Sequence, residues 1–311
     1  MTLVAPAAAR ALARYLWPLA VANLAANIAI VVTGGVVRLT ASGLGCPTWP
    51  RCTEESYVTH PEMGVHGVIE FGNRTLTFVL AAIALMTFLA AWGAADRRAT
   101  RLALLVGLGI PAQALLGGVT VLTRLNPWVV AFHFLVSMAI IGVCVVLLDA
   151  LRGPVRIAAP PPARRLAWLV LAAGWVVLYL GTVVTGSGPH AGDVDARRTG
   201  LDPQVTSHVH AWAVYVLVAL TLGLLVLAHR QRLDRVRRAA AWLLTLEVAQ
   251  GAIGFAQYFL GLPVALVGLH MLGAALTSAA LTWVVLTSVA RLDPAQPSSG
   301  SSATATKSSE R

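Results

Sequence analysis

Long apolar runs alternate with short polar breaks along the whole chain, and the runs have the length of bilayer-crossing helices. Eight stand out, over 15–37, 67–92, 102–122, 128–150, 165–186, 207–229, 239–260 and 264–289. Each is near the roughly 20 residues that span a hydrocarbon core as a helix. The pattern predicts an all-α integral membrane protein with eight transmembrane helices. An even number of spans places both chain ends on the same side of the membrane.

Charge refines this picture. Only 12% of the residues are charged, about half the share in a soluble domain. The net charge of +10 would suit nucleic acid if it were clustered. Instead it is dealt out by loop. The two chain ends and the breaks after the second, fourth and sixth spans hold 17 of the 23 basic residues. The alternate loops hold Arg38, Arg51, Arg124, Arg197 and Arg198, with Arg74 inside a span. The positive-inside bias predicts a multi-pass protein of the cell membrane with both termini cytoplasmic, and no nucleic-acid partner. The Pro-rich stretch 152–164 reads as a cytoplasmic linker, and 291–311, rich in Ser, Ala, Thr and Pro, as a disordered tail.

The second half restates the first. "VVTGGVVRLTASG" from Val31 is echoed by "VVTGSGPHAGD" from Val183, and "AQALLG" at 112–117 by "AQGAIG" at 249–254. Gln113 precedes His133 by 20 residues, as Gln250 precedes His270. Two pseudo-symmetric four-helix units in parallel orientation follow, over 1–151 and 165–290. Each carries histidine on its second and fourth helices near the outer face: His66 and His133, then His208 or His210 and His270. Histidines facing each other in a four-helix bundle hold a haem iron from both sides. Two matched pairs favour ligation over isolated packing histidines. His208 and His210 differ by roughly 200° around a helix, so only one of them faces His270. Arg38 and His190 occupy matching places at the outer ends of the first spans of the two units, where a base would meet acidic groups.

One acid breaks the symmetry. In "HGVIEFGNRTLTF", His66, Glu70 and Asn73 lie on one helical stripe, with Arg74 next. The second unit has no matching carboxylate. Glu70 reads either as a proton-handling group beside a metal-centred cofactor or as an i,i+4 ion pair with Arg74. Cys46 and Cys52, on the outer and oxidising side, read as a disulfide, structural or redox-active; a zinc site would need more ligands than His60 offers. Cys144 reads as packing. Glu247, on the same face as Gln250, reads as a packing hydrogen bond in preference to a proton path.

The stretches "TGGVVRLTASGLGCPTWPRC" at 33–52, "HGVIEFGNRTLTF" at 66–78, "FHFLVS" at 132–137, "HVHA" at 208–211 and "GLHMLGA" at 268–274 are similar to the haem A synthases, the CtaA-type enzymes, and most to their actinobacterial branch. The resemblance runs from about Leu16 to Leu286. It implies an oxidoreductase that oxidises a ring methyl of haem O to a formyl group by successive hydroxylation with water-derived oxygen. It implies haem b as the resident cofactor, bound by His210 and His270, and haem O as substrate in the first unit, bound by His133. It ties Cys46, Cys52 and Glu70 to activity. In many members the glutamate is followed three residues on by His-Arg; here that position is Asn73, and His66 is the substitute ligand expected. The haem O synthase is a plausible partner, and the electron acceptor is unnamed.

Two other functions fit parts of the pattern. A diheme b-type cytochrome exchanging electrons with quinone explains four histidines but needs neither Glu70 nor the cysteine pair. A transporter with parallel repeats predicts polar residues at mid-membrane, whereas those here cluster toward the outer side.

Overall fold

The structure is a computed structural model that describes residues 6–153 and 156–291. It is helical, with no strand among the described residues, only an isolated bridge between Arg156 and Arg291. Eight helices are long and apolar enough to cross a membrane. They are α2 (Leu16–Leu39), α3 (Gly64–Gly93), α4 (Arg97–Leu122), α5 (Pro127–Arg152), α6 (Pro161–Ser187), α7 (Pro203–Arg230), α8 (Asp234–Phe259) and α9 (Val264–Ser288), after a short α1 (Ala7–Leu12). All eight expected spans are present. Several begin earlier than the apolar pattern suggests, because caps and prolines extend them. Asp96, Asn126 and Asp202 accept first-turn amides of α4, α5 and α7. Proline opens α5, α6 and α7, where its missing N–H costs nothing.

That effect shortens the expected linker over 152–164. Pro161 and Pro162 belong to the first turn of α6. The segment before them is pinned as well: Arg156 grips Asp149 through both guanidinium nitrogens, at 2.9 and 3.0 Å. Ala159 N donates to Ser288 O. The expectation for the tail falls on 292–311, outside the described residues.

Helices α2 to α5 contact one another in a ring, and α6 to α9 do the same. The rings meet through α5 with α9, α2 with α9, and α5 with α6. Exchanging the units maps α2–α9 onto α6–α5 and α5–α9 onto itself. This arrangement fits two repeats related by an axis along the bundle. The interiors are built on small side chains, such as Ala163, Ala167, Ala239 and Ala240 in the second ring. Small residues let helix backbones approach closely, the usual device where lipid removes the hydrophobic drive to associate. Large apolar side chains such as Phe78, Trp212 and Phe259 face outward instead, as in a protein solvated by hydrocarbon. One end of the bundle carries the cysteine pair and the histidines other than His229, the other the clustered arginines.

Gly174 shows how tight this packing is. A Cβ there would stand 2.3 Å from Cδ1 of Leu281 on α9, whereas one at Gly107 on α4 meets nothing. Gly174→Leu is expected to cost about 1–3 kcal/mol, read as a clear drop in the thermal unfolding midpoint in detergent. Gly107→Ala is expected to leave that midpoint unchanged or slightly raised.

Candidate functional site

Three imidazoles sit at matched depths near the histidine end. His133 is the seventh residue of α5, His270 the seventh of α9 and His210 the eighth of α7. The same support recurs beneath the first two. Gln113 Nε2 donates to His133 O at 3.0 Å, and Gln250 Nε2 to His270 O at 2.9 Å. One turn further along each glutamine helix, a glycine faces the ring. A Cβ on Gly117 would lie 3.5 Å from His133 Cε1, and one on Gly254 3.7 Å from His270 Cε1. Gly181 on α6 stands likewise against His210 Cε1, at 3.3 Å. A glycine opposite an imidazole leaves flat space beside the ring, which a planar ligand needs.

The Nδ1 atoms of His133, His210 and His270 are buried without a partner, although the His210 ring also approaches the Val177 carbonyl. A buried donor or acceptor left unmade costs about 1–3 kcal/mol, so these rings are prepared for something that the protein alone does not supply. In the second unit the rings of His210 and His270 interact electrostatically. The sequence expects these two as a pair, and the structure brings them within electrostatic range of each other. His208 is exposed, its ring 6.1 Å from that of Tyr258, so the structure separates it from the pair. Among the described residues no cluster of three or more His, Cys, Asp or Glu could hold a bare metal ion.

The first unit is different. His66 is exposed at the start of α3, and its Nδ1 lies 2.9 Å from Ser42 Oγ in the loop after α2. Asn73 is about two turns, roughly 10 Å, deeper. A Cβ on Gly34, five residues before the end of α2, would lie 4.0 Å from Asn73 Nδ2. Gly181 meets His210 six residues before the end of α6. By that measure Asn73, and not His66, stands level with His210. Asn73 Oδ1 and Gln113 Oε1 are both buried and unpartnered.

Glu70 is 5% exposed, and both of its oxygens are engaged. Oε2 accepts the Cys46 N–H at 2.6 Å, and Oε1 accepts Arg74 Nη2 at 2.6 Å. Arg74 in turn donates to the carbonyls of Cys46, Thr48 and Arg51. The ion pair foreseen at i,i+4 therefore grips the cysteine loop. Cys46 and Cys52 form a disulfide, both fully buried. Between them, the ring of Trp49 lies against Gly118 of α4, where a Cβ would come within 2.4 Å of the indole. Gly118 is the neighbour in sequence of Gly117, which faces His133, so the loop packs on α4 at the level of the first unit's imidazole. Gly45 admits the loop, since a Cβ there would lie 2.2 Å from His66 O. Sequence reasoning missed the roles of Trp49, Ser42 and Gly45, although "CPTWPRC" displays the tryptophan.

Arg38 and His190 do meet, across the junction of the units. Arg38 Nε donates to His190 O at 2.6 Å and Nη2 to Thr185 O at 2.8 Å. His190 Nε2 lies 3.0 Å from Leu262 O in the α8–α9 turn. Glu247 accepts from Thr221 Oγ1 at 2.8 Å, the packing bond expected for it.

Residues 17–192 match the COX15–CtaA family, described as cytochrome oxidase assembly protein. The chain belongs to this family. Among its relatives, a heme A synthase from Symbiobacterium thermophilum is 27% identical over 256 residues, covering 75% of this chain and 82% of the relative. One from Bradyrhizobium sp. strain ORS 278 is 28% identical over 355 residues, covering 94% and 95%. One from Lysinibacillus sphaericus is 32% identical over 128 residues, covering 40% and 41%. The matched COX15–CtaA segment contains the whole first ring, with the Glu70–Arg74 grip and the disulfide loop.

Loss of a charge-assisted hydrogen bond of about 1.5–3 kcal/mol should open the loop some 10- to 100-fold more often. Glu70→Ala and Arg74→Ala are both expected to speed reduction of Cys46–Cys52 by external dithiothreitol over that range, counted by maleimide labelling. Equal rates in wild type and both variants would show that the grip does not control the loop.

Proposed function

We propose that this chain is a haem A synthase, oxidising a ring methyl of haem O to a formyl group. The observation that carries the reading is the asymmetry between two otherwise matched units: a paired imidazole site in one, and a single imidazole beneath a disulfide-closed loop in the other. Family membership and full-length similarity to heme A synthases support it. The conversion takes one water into the methyl carbon and releases four electrons and four protons, so an acceptor outside the chain must exist. The diheme carrier accounts for the second unit but leaves the covered first unit without a purpose.

The division of labour follows the residues. Haem b, a one-electron carrier, would be held by His210 and His270 in the second unit. In the first, His133 binds the substrate haem, and the Asn73 amide faces it at the level where the other unit has His210. One strong ligand instead of two leaves the site less rigidly committed, which suits a substrate that must enter and leave. Trp49 and its loop close the site from bulk water. Glu70 holds that loop through the Cys46 amide, as a positioning residue. With the arginine end in the cytoplasm, the site lies at the outer face of the cell membrane, where the disulfide is stable. A haem O synthase in the same membrane is the natural donor of so hydrophobic a substrate.

The test is co-expression with a haem O-producing enzyme, then extraction and chromatography of the haems bound to the purified chain. Haem A or its hydroxylated precursor beside haem B is the expected result; haem B alone contradicts the proposal. Glu70→Gln separates two roles. The amide oxygen still accepts the Cys46 N–H, while the Arg74 bond is lost because the amide NH2 then faces the guanidinium. Positioning through Cys46 therefore predicts output within about tenfold of wild type. Glu70→Ala is expected to lose most of it while the resident haem stays. Complete loss in Glu70→Gln would instead assign Glu70 a proton-carrying role.

A further inference from the structure

At the arginine end of the second unit, the last turn of α7 and the start of α8 frame a crevice of about 410 Å³. His229, Arg230, Arg237 and Arg238 form its rim over apolar Leu225 and Val226. A second cavity, of about 470 Å³, shares Val226 and Arg230 with it and follows α6 and α7 along Leu166, Leu222, Gly223 and Leu227. One part is cationic, and the other is apolar apart from Arg230. The only acid between Leu225 and Ala241 is Asp234, and Arg237 engages it at 3.0 Å. Arg230, Arg238 and His229 take part in no ion pair among the described residues. Trp242, 62% exposed, follows Ala241 at the depth where aromatic residues mark the headgroup region.

The first unit shows why this crevice is particular. There α1 lies against the arginine end of α3, so closely that a Cβ on Gly93 would run into Ala9 O at 1.9 Å. The last turn of α3 carries no basic residue. The last turn of α7 carries His229 and Arg230. The residues entering α6 turn away instead, tying Arg156 to Asp149 and Arg291, and Ala159 to Ser288. No described helix lies against the arginine end of α7 as α1 lies against that of α3. Topology alone asks for arginines in the loop, but it does not ask for an apolar groove leading from them.

We propose that the joined crevice binds one anionic phospholipid of the adjoining leaflet. Its phosphate sits among His229, Arg230 and Arg238, and an acyl chain fills the α6–α7 groove beside them. Basic pockets between membrane helices recognise anionic headgroups in this way. The site lies at the far end of the second unit from His210 and His270, and the proposal is independent of the reaction assigned above.

The test counts lipids retained by the full chain in detergent, by native mass spectrometry, after titration with dioleoyl-phosphatidylglycerol or dioleoyl-phosphatidylcholine. One phosphatidylglycerol is expected to be held about tenfold more tightly than phosphatidylcholine. Arg230→Ala with Arg238→Ala should abolish that preference. Val226→Trp, which blocks the groove at an exposed position without changing charge, should abolish retention. Arg97→Ala with Arg98→Ala removes the same charge from the first unit and should leave binding intact. Equal retention of the two lipids, equal loss in the Arg97/Arg98 variant, or unchanged binding in Val226→Trp would each overturn the proposal. So would a large gain in retention on ending the chain at Arg291, because the last residues would then be the groove's occupant. Displacement of the lipid by haem would overturn it too, and would give the crevice to a porphyrin.

Discussion

Buried imidazoles govern this molecule. In a hydrocarbon-solvated bundle no water is at hand to satisfy a polar atom, so each must find a partner inside. The backbone does so by being helical, and most side chains follow: Thr221 with Glu247, Gln113 with the His133 carbonyl, Gln250 with the His270 carbonyl. Glu247 Oε2 and Gln113 Oε1 do not, and neither do the Nδ1 atoms of His133, His210 and His270. Their helices are nevertheless held in register by those glutamines, and glycines keep the space beside the rings clear. The fold spends stability to keep three imidazoles ready, and a planar iron ligand is what such rings, flanked by glycine, would accommodate.

The two units resolve this constraint differently. The second closes on itself, with two imidazoles in mutual range and His190 tying its turns together at the histidine end. The first devotes the equivalent helix to a loop. Glu70 and Arg74 occupy the stripe of α3 below His66, and their hydrogen bonds go upward into the backbone of residues 46–51. A carboxylate and a guanidinium bonded to each other and to a loop form a brace. The brace sets Trp49 against Gly118, beside the glycine that faces His133. Arg38 joins the units by reaching from α2 to carbonyls at the end of α6.

Much of this was legible in the chain. The spans were, because run length and polarity decide membrane crossing before any tertiary contact forms. The internal repeat made His133 and His270 visible as a pair, and periodicity showed that one of His208 and His210 must face away. The start of α6 was not legible, because a triple proline reads as a linker until its second member is seen at N1 of a helix. What His66 packs against was not legible for a related reason. Stripe membership fixes direction around a helix, but depth depends on where the neighbouring helix ends, and α2 stops at Leu39 with Ser42 left to hold His66. The i,i+4 pair at Glu70 and Arg74 was evident; that its hydrogen bonds belong to the Cys46 loop required the fold.

The central claim is that the two sites hold different haems for different purposes. The most direct measurement is the haem content and low-spin optical signature of His133→Ala and His270→Ala, each purified after co-expression with a haem O-producing enzyme. The account predicts that His133→Ala keeps a low-spin haem B and loses haem O and haem A. It predicts that His270→Ala loses the low-spin haem B signature and still carries haem O. Loss of the same haem from both variants would contradict the division of labour.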